Sequence, residues 1–212
     1  ILSGLVGSEM CIRDRLANMT STQVSALTTD QLPTLRVDQI NSFDSGQIPG
    51  LTTEQIFALT AEQVQNMGST QLNLLSSTQL QALEMSDLQV LTAEQISSLY
   101  TANIVKLSAD QIAALTNEQV SAMTTSQFSN LTTTQIRALT AGQELAITPE
   151  QIASLKTTQI QSISEDQMRV LTTEQTAALT LAQVQALSGA QMQALSPDSR
   201  QVLLSNYPEY AA

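Results

Sequence analysis

The sequence predicts an all-α fold, a solenoid of very short helices with one helix per eight-residue repeat. Three observations carry this. A glutamine returns every eight residues: from Gln23 to position 199, 20 of 23 sites are Gln, the exceptions being Asp87, Asn103 and Ser199. Four residues after every site the residue is apolar, mostly Leu, with Phe43, Met67, Met123, Ile147 and Ile163 as variants. Three residues before, 18 of 23 are Thr, Ser or Asp. Such a period marks one small unit copied in tandem.

With the glutamine site as position 0, each part of a copy has a reason. At −3, Thr52 is the N-cap of the type unit 51–59: its hydroxyl is offered to the N–H of Gln55 at N3. The Gln55 side chain returns to the Thr52 N–H, which makes a capping box. Leu51 before the cap and Ile56 at +1 stand where a hydrophobic staple needs them. At +1, 20 of 23 residues are apolar, and Glu144, Thr176 and Arg200 break the rule. Asp or Glu at −1, as in Asp30, Glu54, Glu62 and Glu174, suits the positive end of a helix dipole. Pro149 and Pro197 fall at N1, where a missing N–H costs nothing. The cap misfits are Arg36, Glu84, Tyr100 and Lys156, while Gly68 is an acceptable cap.

A single long helix would wind its apolar stripe around the axis, because eight residues overshoot two turns by about 80°. The seven- and eleven-residue periods of coiled coils are absent. A β-solenoid is the stronger rival, yet Ile56 and Leu59 are three apart, on opposite faces of a strand and one face of a helix. Seven glycines in 212 residues also leave tight β-coils short of turn residues. One copy alone buries too few aliphatic groups to offset the entropy of ordering its backbone. Stability must therefore come from neighbouring copies, as in a solenoid. No modulation at 16 or 24 residues reveals how many copies make one superhelical turn.

Hydrophobic residues make up 42% of the chain and aromatics 3%, so the expected core is thin and aliphatic. No apolar run approaches the roughly 20 residues of a membrane span, so no membrane insertion is expected. The net charge of −11 argues against nucleic acid or anionic lipid as partners, because both require Lys and Arg.

Residues 1–15 stand outside the pattern. The stretch 4–15 (Gly-Leu-Val-Gly-Ser-Glu-Met-Cys-Ile-Arg-Asp-Arg) resembles the translation of a sequencing-adapter read-through. This resemblance implies a non-native leader, which is set apart from fold reasoning. The sole cysteine, Cys11, lies inside it. The array itself is read as 16–203, a slice of a longer polypeptide, with 204–212 as a C-terminal tail or truncation point. Two stretches are irregular. Pro33 and Pro49 fall inside the short helix, at N5, and mark 33–50; Asp87, Tyr100 and Asn103 mark 84–106. At Glu144, the expectation is that Leu145 turns inward and Glu144 reaches water, since an unpaired buried carboxylate is costly.

The chemical inventory yields no catalytic, cofactor-binding or metal residue. Histidine is absent, and without Cys11 there is no thiol, so the usual bases, nucleophiles and zinc ligands are missing. The acids at −1 never form a calcium-loop spacing, and the helix dipole accounts for them. The chain is expected not to be an enzyme and to need no cofactor.

The copies Leu-Thr-Thr-Glu-Gln-Ile (51–56), Leu-Thr-Ala-Glu-Gln-Ile (91–96), Leu-Thr-Thr-Thr-Gln-Ile (131–136) and Leu-Thr-Thr-Glu-Gln-Thr (171–176) resemble the octapeptide arrays of very large bacterial surface or secreted proteins. Such proteins are described as adhesin-like or haem-utilising. The likeness spans 16–203 and implies a bacterial, extracellular or cell-surface repeat segment. It transfers no catalytic residue, and with no His a haem role has no iron ligand here. The expected function is a structural spacer or stalk in a larger surface-exposed polypeptide. The alternative is a solenoid scaffold binding a peptide or protein partner, which would gather aromatic or Arg residues at +2. That column reads mostly Gln, Ser, Asn and Ala, with Phe57, Arg137 and Arg169 scattered singly, and favours the spacer.

Overall fold

The computed structural model describes residues 16–208, so the reading of 1–15 as a foreign leader lies outside the described residues. Among these residues there are 21 α-helices, two 3-10 helices and no strand. The typical helix has six residues, as in Ser77–Ala82, and the longest is Pro197–Asn206. Short helices follow one another at the eight-residue period, which is the all-α repeat solenoid expected.

The turn between helices is made without glycine. Leu83 ends the helix Ser77–Ala82 at φ −63°, ψ 132°, and Glu84 follows at φ −67°, ψ 155° before Met85–Val90 begins. Two consecutive extended residues redirect the chain, and no described residue has positive φ. This explains how an array so poor in glycine turns at every copy. The two prolines of 33–50 are absorbed by a change of helix type. Leu32–Thr34 and Ile48–Gly50 are 3-10 turns with Pro at the first or second position, where a missing N–H is tolerated.

The chain divides into two compact units, Ile1–Leu107 and Ser108–Ala212. In the first, Thr53–Phe57 packs on Ser77–Ala82 and Ala61–Gln65 on Met85–Val90. In the second, Ala109–Ala114 packs on Thr133–Ala138, Asn117–Ala122 on Ala141–Ala146, and Glu165–Val170 on Gly189–Ala194. Each of these helices thus stacks on the helix three copies further along. The +1 and +4 columns form the core within each unit: Ile56, Leu59, Leu80 and Leu83 in one, Ile112, Leu115, Ile136 and Leu139 in the other are all buried.

Candidate functional site

The feature that organises both units is the glutamine column, and Gln151 shows its geometry. The Thr148 N–H donates to Gln151 Oε1 at 2.9 Å, and the Gln151 N–H donates to Thr148 Oγ1 at 3.2 Å. Two of the donors left free at the helix start are thereby satisfied. The other end of the same amide does something the local pattern does not announce. Gln151 Nε2 donates to the carbonyls of Val120 at 2.9 Å and Met123 at 2.7 Å, 31 and 28 residues back. Those residues are +1 and +4 of the copy four before.

The arrangement recurs with the same partners. Gln55 reaches Val24 and Leu27, Gln79 reaches Ile48 and Leu51, and in the second unit Gln143 reaches Ile112 and Leu115. One side chain therefore closes the start of its own helix and the end of a helix in the preceding turn. Helices stack three copies apart while the amides reach back four, so a superhelical turn takes more than three copies and fewer than four. Most of the glutamines are accordingly buried, Gln143 and Gln151 at 1% exposure, whereas Gln23 and Gln31 are exposed. Glutamate would serve a capping box as well as glutamine. It has no protons for the two carbonyls, and it would bury a charge.

Four of the misfit caps keep one half of the device. At Arg36, Gly68, Glu84 and Lys156 no side chain caps the helix. The N-cap N–H still finds the side-chain oxygen three residues on: Lys156 N–H donates to Gln159 Oε1 at 2.7 Å and Arg36 N–H to Gln39 Oε1 at 2.8 Å.

Departures at position 0 each have a different outcome. Asn103 is one carbon short, and its Nδ2 reaches the Asn73 carbonyl at 3.2 Å instead; Asn73 in turn accepts from the Tyr100 N–H and donates to the Ser98 carbonyl. Asp87 Oδ2 accepts from the Glu84 N–H at 3.2 Å, but a carboxylate has nothing to donate. Burial pushes its pKa up, partly offset by that backbone hydrogen bond. Ser199 Oγ donates to the Leu171 carbonyl, and Tyr207, one period later, donates its phenol to the Leu179 carbonyl. Both acceptors lie 28 residues back, as in the glutamine copies. Tyr207, within the stretch 204–212, therefore makes the same 28-residue reach from another residue type.

At +1, Thr176 is buried and its hydroxyl donates to the Thr172 carbonyl at 2.8 Å, so the polar group is satisfied within its own helix. Arg200 turns to the carbonyls of Met192, Gln193 and Leu195. Glu144 corrects the sequence reading: Leu145 is 57% exposed and Glu144 only 4%. The helix Ala141–Ala146 is pinned at its start by the Thr140–Gln143 pair and at its end by Gln175 Nε2, which donates to the Glu144 and Ile147 carbonyls, so it cannot rotate to exchange the two. Glu144 Oε2 has no hydrogen-bond partner. Desolvation pushes its pKa up to about 7, and the neighbouring Gln167 amide offsets only part of this.

The surface carries scattered features. The Glu54 and Glu174 carboxyls are held below the usual carboxylate range, chiefly by backbone hydrogen bonds and then by the Thr52 and Thr172 hydroxyls respectively. Phe57 is 59% exposed beside Thr29, Thr53, Glu54 and Ala58, in an open groove. Arg169 pairs with Asp166 and Glu165, and Arg137 stands exposed. Among the described residues no group of three or more acidic or Cys side chains is gathered to hold a metal ion. No helix among them is long and apolar enough to cross a membrane.

This geometry defines a tandem-repeat protein. The chain matches the ALTTAQ repeat family over residues 80–117, 96–125 and 145–181. The six letters fall on this register with Leu at −4, Thr at −3 and Gln at 0, as in Ala114-Leu115-Thr116-Asn117-Glu118-Gln119. No curated protein matches the chain.

Proposed function

We propose that the array serves as a spacer or stalk segment in a larger, surface-exposed bacterial polypeptide, and that it carries no catalytic role. The observation behind this reading is the glutamine column, which ties each turn to the one before with bonds that depend on no ligand. Such a device holds distance: each added copy supplies its own cap, its own two core residues and its own amide bridge. The mostly small polar +2 column, which offers few anchors for a partner, agrees with this role. The likeness to octapeptide arrays of bacterial surface proteins supports the surface setting.

The test is the distance between fluorophores on Asn117→Cys and Gln193→Cys in a Cys11→Ser background. A spacer gives a narrow distribution that is unchanged from low to high salt. A broad, salt-sensitive distribution like that of a flexible chain would reject it. The groove beside Phe57 favours a second reading, a scaffold for a protein partner. A photo-cross-linker at Phe57 that captures one defined protein, while the same group at Thr133 captures none, would select that reading instead.

A further inference from the structure

Position +1 is among the most completely buried in each copy, and Ile112, Val120, Phe128 and Ile136 there are 0–2% exposed. Glu144 occupies this position with a carboxyl group. Its surroundings are Phe128, Ile136, Ile147, Ile152 and Leu171, around a cavity of about 10 Å³. That is at the lower limit for one water molecule, and a water needs two to four polar partners to stay. Gln167 is the only other polar residue in the lining. Its Nε2 donates to the carbonyls of Ile136 and Leu139, and its Oε1 accepts from the Ser164 N–H. With its protons already engaged by those carbonyls, the amide offsets only part of the desolvation of the carboxyl.

No counter-charge faces the group. On the helices around it, Glu118, Arg137, Glu150, Glu165, Asp166, Arg169 and Glu174 are exposed to solvent, and none lines the cavity. An ionised Glu144 would therefore sit uncompensated in an apolar interior, whereas the neutral acid has only one polar end to satisfy.

We propose that Glu144 makes the packing of the 108–208 unit conditional on a proton: the unit closes around the neutral acid and loosens when the proton leaves. The sign follows from linkage. The folded state holds the proton more tightly than the unfolded chain, so stability is greatest at or below the ordinary glutamate pKa. It falls as pH rises toward the folded-state value near 7 and levels off above it. Glu144 is the one acid among the buried residues of the 108–208 unit, which would thus carry one acid-stabilised section.

The test uses the full chain and the variants Glu144→Gln and Glu144→Leu, each melted from pH 4.5 to 8.5, with NMR titration of the Glu144 carboxyl carbon in the parent. The expected result is a parent melting midpoint that falls with pH relative to both variants. The protection of the 136–171 amides, taken relative to the base-catalysed intrinsic rate, should be lower at pH 8 than at pH 5 in the parent alone, and the carboxyl should titrate well above 4.5. Asp87 is common to all three proteins, so its contribution cancels in the difference. Parallel melting curves for parent and Glu144→Leu, or a carboxyl titrating at its ordinary value, would overturn the proposal. If Glu144→Gln folds poorly, the Leu variant alone decides between these results.

Discussion

At Gln151 a single amide makes bonds in two directions, and the energetics of the copy divide accordingly. Its oxygen and backbone N–H serve the local cap, so a change at the cap removes one bond only. Thr132→Val, which removes the hydroxyl bound at 3.1 Å by the Gln135 N–H, should cost about 0.5–2 kcal/mol in a urea titration. Gln151→Glu keeps the local acceptor but places a charge against the carbonyls of Val120 and Met123. It should cost about 3–5 kcal/mol at neutral pH, as for other uncompensated buried charges. Equal costs for the two variants would mean the long-range bonds contribute nothing. Asp87→Gln runs the other way. It removes a buried acid and restores an amide aimed at the 56–59 segment, so it should stabilise the chain by about 1–3 kcal/mol, two net hydrogen bonds' worth. These distinctions were only half legible in the sequence. The capping role of glutamine is local and follows from three-residue spacing. The bridge spans 28 and 31 residues and is hidden by the fact that capping alone already accounts for the residue type.

Helices of four to six residues hold their places because both ends are fixed, and this is visible where the sequence misled. For Glu144, reasoning from the cost of burying a carboxyl pointed to a swap with Leu145. The swap requires turning the helix Ala141–Ala146 by a residue, against the Thr140–Gln143 pair at its start and the Gln175 bonds to the Glu144 and Ile147 carbonyls at its end. The price of rotation falls on several hydrogen bonds, and the price of burial is lowered by protonation. The prolines of 33–50 read as interruptions, since a ring inside an α-helix breaks it. A 3-10 turn places that ring near its own beginning, so the period survives. Gly50 in the second of these turns is required for a close approach. A Cβ there would lie 2.7 Å from Ser21 Cβ and 2.9 Å from both the Cα and O of Ser21. Gly50→Ala should therefore cost about 1–3 kcal/mol through displaced backbone, read as a lowered thermal midpoint. An unchanged midpoint would mean that the two segments do not meet.

For the array as a whole, what matters is that nearly every copy offers the same carbonyls and the same amide. Deleting residues 133–140, one full period, brings Thr132 directly before Ala141 and leaves every cap three residues ahead of its glutamine. The shortened chain should keep a cooperative helical melt at a somewhat lower midpoint, since only one set of nearest-neighbour contacts is lost. Deleting 133–136 alone removes Gln135 while leaving half a copy, and should abolish cooperativity across the 108–208 unit. An equal loss in both deletions would contradict copy-by-copy construction. The sequence foretold the all-α solenoid because its evidence is local: caps, staples and a three-residue apolar spacing. It was silent on the number of copies per turn, because copies that are nearly identical give no modulation at the longer period. That number is set by the reach of the amide to +1 and +4 of the fourth copy back, a three-dimensional relation.

The most direct check of this account is on the side-chain amide of Gln151. The bridge predicts two Nε2 protons that exchange slowly with water and show through-hydrogen-bond scalar coupling to the Val120 and Met123 carbonyl carbons. Rapid exchange at the rate of a solvent-exposed glutamine, with no such coupling, would contradict it.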